Sequence, residues 1–310
     1  METVLITGGT GMLGNALTQA LIERGYSVIV LTRDVASQQS ADSNISFAEW
    51  NIKNRSIDKS AIEKADHIIH LAGASVAEKR WTKKRKKEIV DSRVESGKLI
   101  VESLKTIPNK VRTVISISGI GWYGPDPQIP NPNPFAENDP VDNSFLGDTC
   151  RQWEAAVEPV AFMGKRLIKF RTGIVLSNEG GLILELKKPL RFGFATILGN
   201  GKQIVSWIHI DDLVRMFMYA LETIDIEGVY NAVAPNSVSN KEITINIAKQ
   251  SGKFFIPAYV PSILLKIALG ELSIEVLKSA TVSADRIQNA GFIFQYPRMN
   301  EAIEQLAAVK

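Results

Sequence analysis

The residues whose spacing carries most chemistry are Thr7-Gly8-Gly9-Thr10-Gly11-Met12-Leu13-Gly14. The apolar run Val4-Leu5-Ile6 is short enough for a buried parallel strand and empties into this turn. Leu13, Leu17, Leu21 and Ile22 then recur at helical spacing. Each glycine has its own work: Gly8 permits a tight exit from the strand, Gly11 lets a pyrophosphate approach the backbone, and Gly14 lets the helix pack close to the sheet. The helix start adds N–H groups and a positive dipole end for phosphate. Gly8, Thr10, Gly11, Met12, Leu13 and Gly14 are therefore the expected dinucleotide contacts. An ordinary glycine-rich turn is the plain alternative. The strand before, the helix after and a second apolar run, Ser27-Val28-Ile29-Val30-Leu31, favour the dinucleotide.

Cofactor choice is read where that second run ends, at Thr32-Arg33-Asp34. A carboxylate there would bond the ribose 2′-hydroxyl of NAD, whereas an arginine accommodates a 2′-phosphate. Arg33 is a planar, permanent cation suited to phosphate, which favours NADP. NAD stays as the alternative, because Asp34 turned into the same pocket would repel the phosphate. For Arg33 itself the competing role is a solvated charge at a strand end.

Periodicity then supplies the elements that position these groups. Ile45 to Trp50, His67 to Leu71 and Val111 to Ile117 read as strands, and Thr82 to Leu104 as a long helix. Phe145 to Phe162 is helical, Arg166 to Arg171 is a strand, Val205 to Ile210 a strand and Asp211 to Leu221 a helix. This alternation predicts an α/β fold, a Rossmann-type doubly wound parallel sheet with a smaller, mainly helical C-terminal lobe. Residues 1–179 make the dinucleotide domain, with 205–235 returning to it, and 180–204 with 236–310 make the substrate lobe. Gly180 to Gly201 reads as irregular. Pro125 to Pro140 holds six prolines, so it is expected to be a functional loop, a lid or a wall of the substrate site.

Composition narrows the classes further. A chain of 310 residues with 45% hydrophobic and 22% charged residues is an ordinary globular protein with room for a large core. The formal charge of +3 does not by itself call for nucleic acid. One cysteine, Cys150, rules out an intrachain disulfide and a four-cysteine zinc site. His67, His70 and His209 have no metal-ligand spacing, so no metal is expected. The apolar stretch Ile256 to Leu272 is interrupted by Pro257, Pro261, Lys266 and Gly270, too broken to span a membrane. The N-terminus runs straight into the first strand, which predicts no secretory leader and a cytoplasmic protein.

Further motifs accompany the glycine turn: Leu71-Ala72-Gly73-Ala74-Ser75, Arg80-Trp81-Thr82, Ser92-Arg93, Ser116-Ile117-Ser118 and Gly121-Trp122-Tyr123-Gly124. Cys150-x-x-Trp153-Glu154, Arg171-Thr172-Gly173 and Gly199-x-Gly201-x-Gln203-x-x-Ser206-Trp207-Ile208-His209 follow. Together they resemble the extended short-chain dehydrogenase/reductase superfamily, and within it an NAD(P)-dependent epimerase-like subfamily. The resemblance runs nearly the whole chain. It implies a nicotinamide cofactor, with Leu71, Ala72 and Gly73 beside it and Asn51 in place of an aspartate that meets the adenine. It also implies a lobe closing over a small-molecule substrate, and leaves room for a homodimer.

One departure matters. Members of that superfamily use a tyrosine followed four residues later by lysine, which lowers the phenol pKa for proton exchange during hydride transfer. None of Tyr26, Tyr123, Tyr219, Tyr230, Tyr259 and Tyr296 has that lysine; Cys150 and Glu154 stand in the two places. The resemblance makes Ser118 the serine that meets a substrate carbonyl, and Tyr123 lies close enough in sequence to face the nicotinamide. These two are the expected catalytic residues. Cys150 is either a thiol acid or a small buried filler, and Glu154 either a base or a salt-bridge partner. Arg171, at a strand's carboxyl end, would grip a substrate anion or form a structural ion pair. Trp207 would stack on substrate or fill the seam between lobes, and His209 reads as a core histidine.

Lys79 to Lys87 carries seven basic residues in nine around Trp81. Nucleic-acid binding is one reading of such a run; a solvated helix start is the favoured one.

Overall fold

In a computed structural model describing residues 1–308, seven strands and four helices carry the first half of the chain. The strands are β1 (Thr3–Thr7), β2 (Ser27–Thr32), β3 (Ile45–Asn51), β4 (Ser56–Ile57), β5 (His67–His70), β6 (Thr113–Gly119) and β7 (Arg166–Thr172). The helices are α1 (Met12–Glu23), α2 (Lys59–Lys64), α3 (Lys83–Thr106) and α4 (Phe145–Val157). With the later strand Gly228–Ala232 at one edge, the eight-stranded sheet runs Gly228–Ala232, β7, β6, β5, β1, β2, β3, β4. All pairings are parallel except the short β4 on β3.

The apolar runs are continuous because both faces of the sheet are covered. Val4, Ile6, Val28 and Val30 point to one face and meet Leu17 and Leu21 of α1 and Leu213 and Phe217 of the helix Ile210–Glu222. Leu5, Ile29, Leu31 and Ile68 point to the other and meet Ile62 of α2 and Leu99, Ile100 and Leu104 of α3. From β1 the chain winds outward through β2 and β3, then returns to β5 on the other side. β1 and β5 thus flank the switch point, and ligands in such sheets bind outside its carboxyl ends.

Register places the chemistry there. Thr7 is level with His70 across β1 and β5. Ser118 is level with Arg171 across β6 and β7, and Arg171 with Asn231 on the edge strand. One polar row therefore crosses three adjacent strands.

The C-terminal lobe has its own core of Leu186, Ala195, Trp207, Ile243 and Ile303. It departs from the sequence reading in two places. Gly180 to Gly201 contains a helix, Leu182–Leu190, and a strand, Phe194–Leu198. That strand pairs in parallel with Ile256–Val260, which includes Pro257. Proline is tolerated because the pair is an isolated two-stranded sheet, so every strand is an edge. The proline-rich loop is fastened as a wall: the Asp126 carboxylate accepts from Ser279 Oγ at 2.7 Å and Thr281 Oγ1 at 2.8 Å.

Candidate active site

The glycine turn has the geometry a diphosphate needs. Gly8 has φ +70°, and a Cβ there would stand 3.1 Å from Leu71 C and Ala72 N at the end of β5. A Cβ on Gly14 would sit 2.3 Å from Gly8 O, so only glycine lets α1 start against the turn. Gly11 is the N-cap of α1 and no side chain caps it, leaving the first-turn N–H groups of Met12 and Leu13 to a ligand. Thr10 and Gly11 are exposed, and no acidic residue lies in the first turn to repel phosphate. The residues present fit a dinucleotide.

Arg33 is exposed just past β2 and makes no hydrogen bond or ion pair among the described residues. Asp34, also exposed, accepts on Oδ1 from Ser37 N at 3.2 Å within its own loop. At the end of β3, Asn51 Oδ1 accepts from Asn54 N at 3.1 Å, so one lone pair of that oxygen is already engaged in a turn.

A clasp that sequence reasoning missed holds the Leu71-Ala72-Gly73 arm. Thr7 Oγ1 accepts from Leu71 N at 3.1 Å and Ala72 N at 3.2 Å, and lies 2.8 Å from His70 Nδ1. Two N–H groups into the hydroxyl leave its proton for Nδ1, which puts the histidine proton on Nε2, facing Ser96 Oγ at 3.3 Å. Full burial pulls His70 down to about 4, so the ring is neutral. The only signal in the sequence was a threonine before the turn and a histidine at a strand end.

At the ends of β6 and β7 the side chains form one buried chain of bonds. Ser118 Oγ donates to Glu154 Oε1 at 2.9 Å. Arg171 grips the same carboxylate twice, Nε to Oε1 at 2.8 Å and Nη2 to Oε2 at 3.1 Å. Its Nη1 donates to Tyr123 Oη at 3.2 Å, and Tyr123 in turn donates to Asn231 Oδ1 at 2.7 Å. The guanidinium also lies over the Trp122 ring, 3.6 Å from its centroid. One turn before Glu154, Cys150 Sγ donates to Gly119 O at 3.4 Å. Burial first, and the Glu154 charge second, push this thiol up to about 11, so it is a protonated packing group.

Three of the expected site residues are placed differently from their sequence reading. Tyr123 is fully buried, stacked on Phe135 and pushed up to about 12 by burial, with its proton directed at Asn231 rather than into the cleft. Arg171 is 2% exposed and its charge is committed to Glu154, leaving no free cation for a substrate anion. Trp207 is fully buried in the core of the lobe, with Nε1 donating to Asn236 O at 2.9 Å, so no ring face is open for stacking. His209 is buried too; its Nδ1 accepts from Asp211 N and caps the following helix. Ser118, at the carboxyl end of β6, stands on the side of the sheet where the dinucleotide turn opens.

The basic run is mostly neutralised. Arg85 pairs with Glu78 and Glu88, Lys87 with Asp91, Lys79 with Glu78 and Lys86 with Glu271. Trp81 donates to Val76 O at 2.8 Å and meets Phe145 edge-on. Among the described residues there is no cluster able to hold a metal and no helix long and apolar enough to cross a membrane.

A doubly wound sheet with a glycine turn at its switch point defines the class: a Rossmann-type dinucleotide-binding protein. Comparison with known proteins narrows this. Residues 4–145 match the NAD dependent epimerase/dehydratase family, and 260–306 match the C-terminal domain DUF1731. An epimerase family protein of Staphylococcus saprophyticus is 34% identical over 311 residues, covering 99% of both chains. The human epimerase family protein SDR39U1 (isoform 2), solved with NADPH, superposes with a TM-score of 0.85 at 27% identity, over 99% of this chain and 100% of that one. A nucleoside-diphosphate sugar epimerase from Corynebacterium glutamicum matches with a TM-score of 0.77 at 31% identity, over 99% of this chain and 58% of that one. The chain belongs to the epimerase family.

Proposed function

We propose that this protein is an NADP-dependent oxidoreductase or epimerase acting on a small polar metabolite, with Ser118 and Glu154 replacing the missing tyrosine and lysine. The observation that carries the reading is the Ser118–Glu154–Arg171 chain at the end of β6, beside a turn built for a dinucleotide. Gly8, Thr10, Gly11, Met12, Leu13 and Gly14 would hold the diphosphate, Leu71 to Gly73 the nicotinamide half, Asn51 the adenine and Arg33 the 2′-phosphate. The NADPH bound by the human relative agrees with the freedom of Arg33.

A nicotinamide bound at the strand ends supplies or accepts a hydride. The protein's task is the accompanying proton. A substrate hydroxyl would pass its proton to Ser118 Oγ as Ser118 passes its own to Glu154 Oε1, and the reverse sequence would protonate a carbonyl oxygen. Arg171 orients the carboxylate through its two hydrogen bonds. Tyr123, itself bonded to Asn231, accepts from Arg171 Nη1 and acts as a positioning residue.

A second reading, a cofactor-binding redox sensor without turnover, draws on the burial of Ser118, Cys150, Tyr123 and Glu154. A screen of small carbonyl compounds for NADPH consumption separates the two. Turnover of any member of the panel supports the enzyme; tight NADPH binding with no consumption across the panel supports the sensor.

A further inference from the structure

Arg93 carries a charge that the surrounding protein does not answer. It lies on α3 and is 9% exposed. Its Nη1 donates to Ala74 O at 2.9 Å and Ile89 O at 3.0 Å, and the guanidinium lies over the Trp153 ring, 4.7 Å from the centroid. All of these partners are neutral. The other two buried arginines differ: Arg85 has Glu78 at 3.3 Å and Glu88 at 2.8 Å, and Arg171 has Glu154 at 2.8 Å. Among the described residues no carboxylate pairs with Arg93.

The remaining donors have an outlet. Nη2 of Arg93 bonds none of the described residues, yet it is not among the sealed, unpartnered side-chain atoms, which are on His67, Arg85, Trp153 and Thr244. It stands against Gly73, where a Cβ would lie 3.1 Å from Arg93 Cζ and 3.3 Å from Nη2. Gly73 ends the arm that Thr7 fastens beside the glycine turn. A buried cation without a counter-ion is costly, and anchoring Ala74 needs only a neutral donor. What goes unused is the charge and the open edge of the fork.

We propose that Arg93 is an anion seat, binding a phosphate or carboxylate oxyanion of a molecule lodged between Gly73 and α4. The seat rests on the reading of this cleft as a cofactor and substrate site. Two sources share the chemistry: the diphosphate of the cofactor and an acidic group on the substrate. A planar fork against two oxygens of a carboxylate or phosphate makes two parallel charge-assisted bonds, which lysine reproduces only as a point charge.

The test uses the full chain as wild type, Arg93→Lys, Arg93→Gln and Gly73→Ala. Each is titrated with NADPH by fluorescence, and the NADPH-saturated protein is then titrated with inorganic phosphate by calorimetry. Arg93→Gln keeps a donor for Ala74 but removes the charge, and is expected to weaken one titration by about tenfold or more. Arg93→Lys recovers part of that loss. Gly73→Ala, whose methyl presses on the guanidinium, weakens the same titration and serves if Arg93→Gln does not fold. Loss with NADPH assigns the cofactor's diphosphate; loss with phosphate assigns the substrate's acid. If all four proteins bind both probes equally, the seat is overturned while the functional reading stands. If wild type binds phosphate through Arg93 but no NADPH, the functional reading falls and the seat survives.

Discussion

Glu154 and Arg171 form a two-pronged ion pair, at 2.8 and 3.1 Å, with side chains 6% and 3% exposed. The carboxylate stands on α4 and the guanidinium on β7, so the pair bolts the helix to the sheet where Ser118 ends its strand. Removing one partner leaves a buried charge unanswered. Arg171→Met is expected to lower stability by about 3–5 kcal/mol, read from the urea midpoint. The Glu154→Met/Arg171→Met double variant should be less destabilised than the two single effects added together. A single-variant loss under about 1 kcal/mol, as for an exposed pair, would contradict the geometry.

Gly14→Ala tests the cradle. Alanine is the better helix former, yet its Cβ would stand 2.3 Å from Gly8 O and 2.5 Å from Gly9 Cα, both backbone. The turn must move, at a cost of about 1–3 kcal/mol, and NADPH affinity should fall by at least about tenfold. Unchanged NADPH binding would show that the turn does not shape the site.

Arg33 tests cofactor choice. Arg33 is exposed just past β2 and makes no hydrogen bond or ion pair among the described residues. Arg33→Ala is expected to weaken NADPH by about 10- to 100-fold, the loss of one charge-assisted contact, and to leave NADH nearly unchanged. Equal effects on both cofactors, or tighter NADH than NADPH in wild type, would remove Arg33 from that role.

His70 gives a pH signature with a definite sign. Its folded pKa is about 4 against an ordinary value near ~6.5. Between the two values the unfolded chain binds the extra proton, so stability is full above ~6.5 and is lost as pH falls toward 4. That difference is on the order of 3 kcal/mol. Melting temperatures of wild type and His70→Gln, taken from pH 7.5 down to about 4.5, should converge on the acid side. Parallel curves would mean that His70 is not held neutral.

What could be read in the sequence was what is local. Val4 to Gly14 encodes strand, turn and helix in adjacent residues, so the dinucleotide cradle was legible from spacing alone. The position of Arg33 at the end of a strand was legible for the same reason, whereas the bond from Ser37 N to Asp34 Oδ1 depends on a turn. The catalytic neighbourhood was harder. Arg171 looks like an anion grip until Glu154 arrives from a helix 17 residues earlier. Tyr123 looks like an acid until Asn231, 108 residues away, accepts its hydrogen bond. Trp207 lies in the short strand Trp207–His209, and only the assembled lobe shows that its ring is enclosed. The strand Ile256–Val260 was hidden by Pro257, which an edge accepts and a central strand would not. Long-range pairing decided each of these.

Cys150 belongs with them. The tyrosine place on α4 invites a catalytic reading, but the thiol is buried against Gly119 and protonated at neutral pH. On the proposed reading, proton transfer falls to Ser118 and Glu154. The most direct measurement is kcat for NADPH-linked reduction of the best carbonyl substrate by wild type, Ser118→Ala, Glu154→Gln and Cys150→Ala, with NADPH affinity measured alongside. The account predicts a loss of about 100-fold or more in kcat for the first two variants, with NADPH affinity little changed, and near wild-type turnover for Cys150→Ala. Full turnover by Ser118→Ala and Glu154→Gln, or its loss in Cys150→Ala alone, would contradict it.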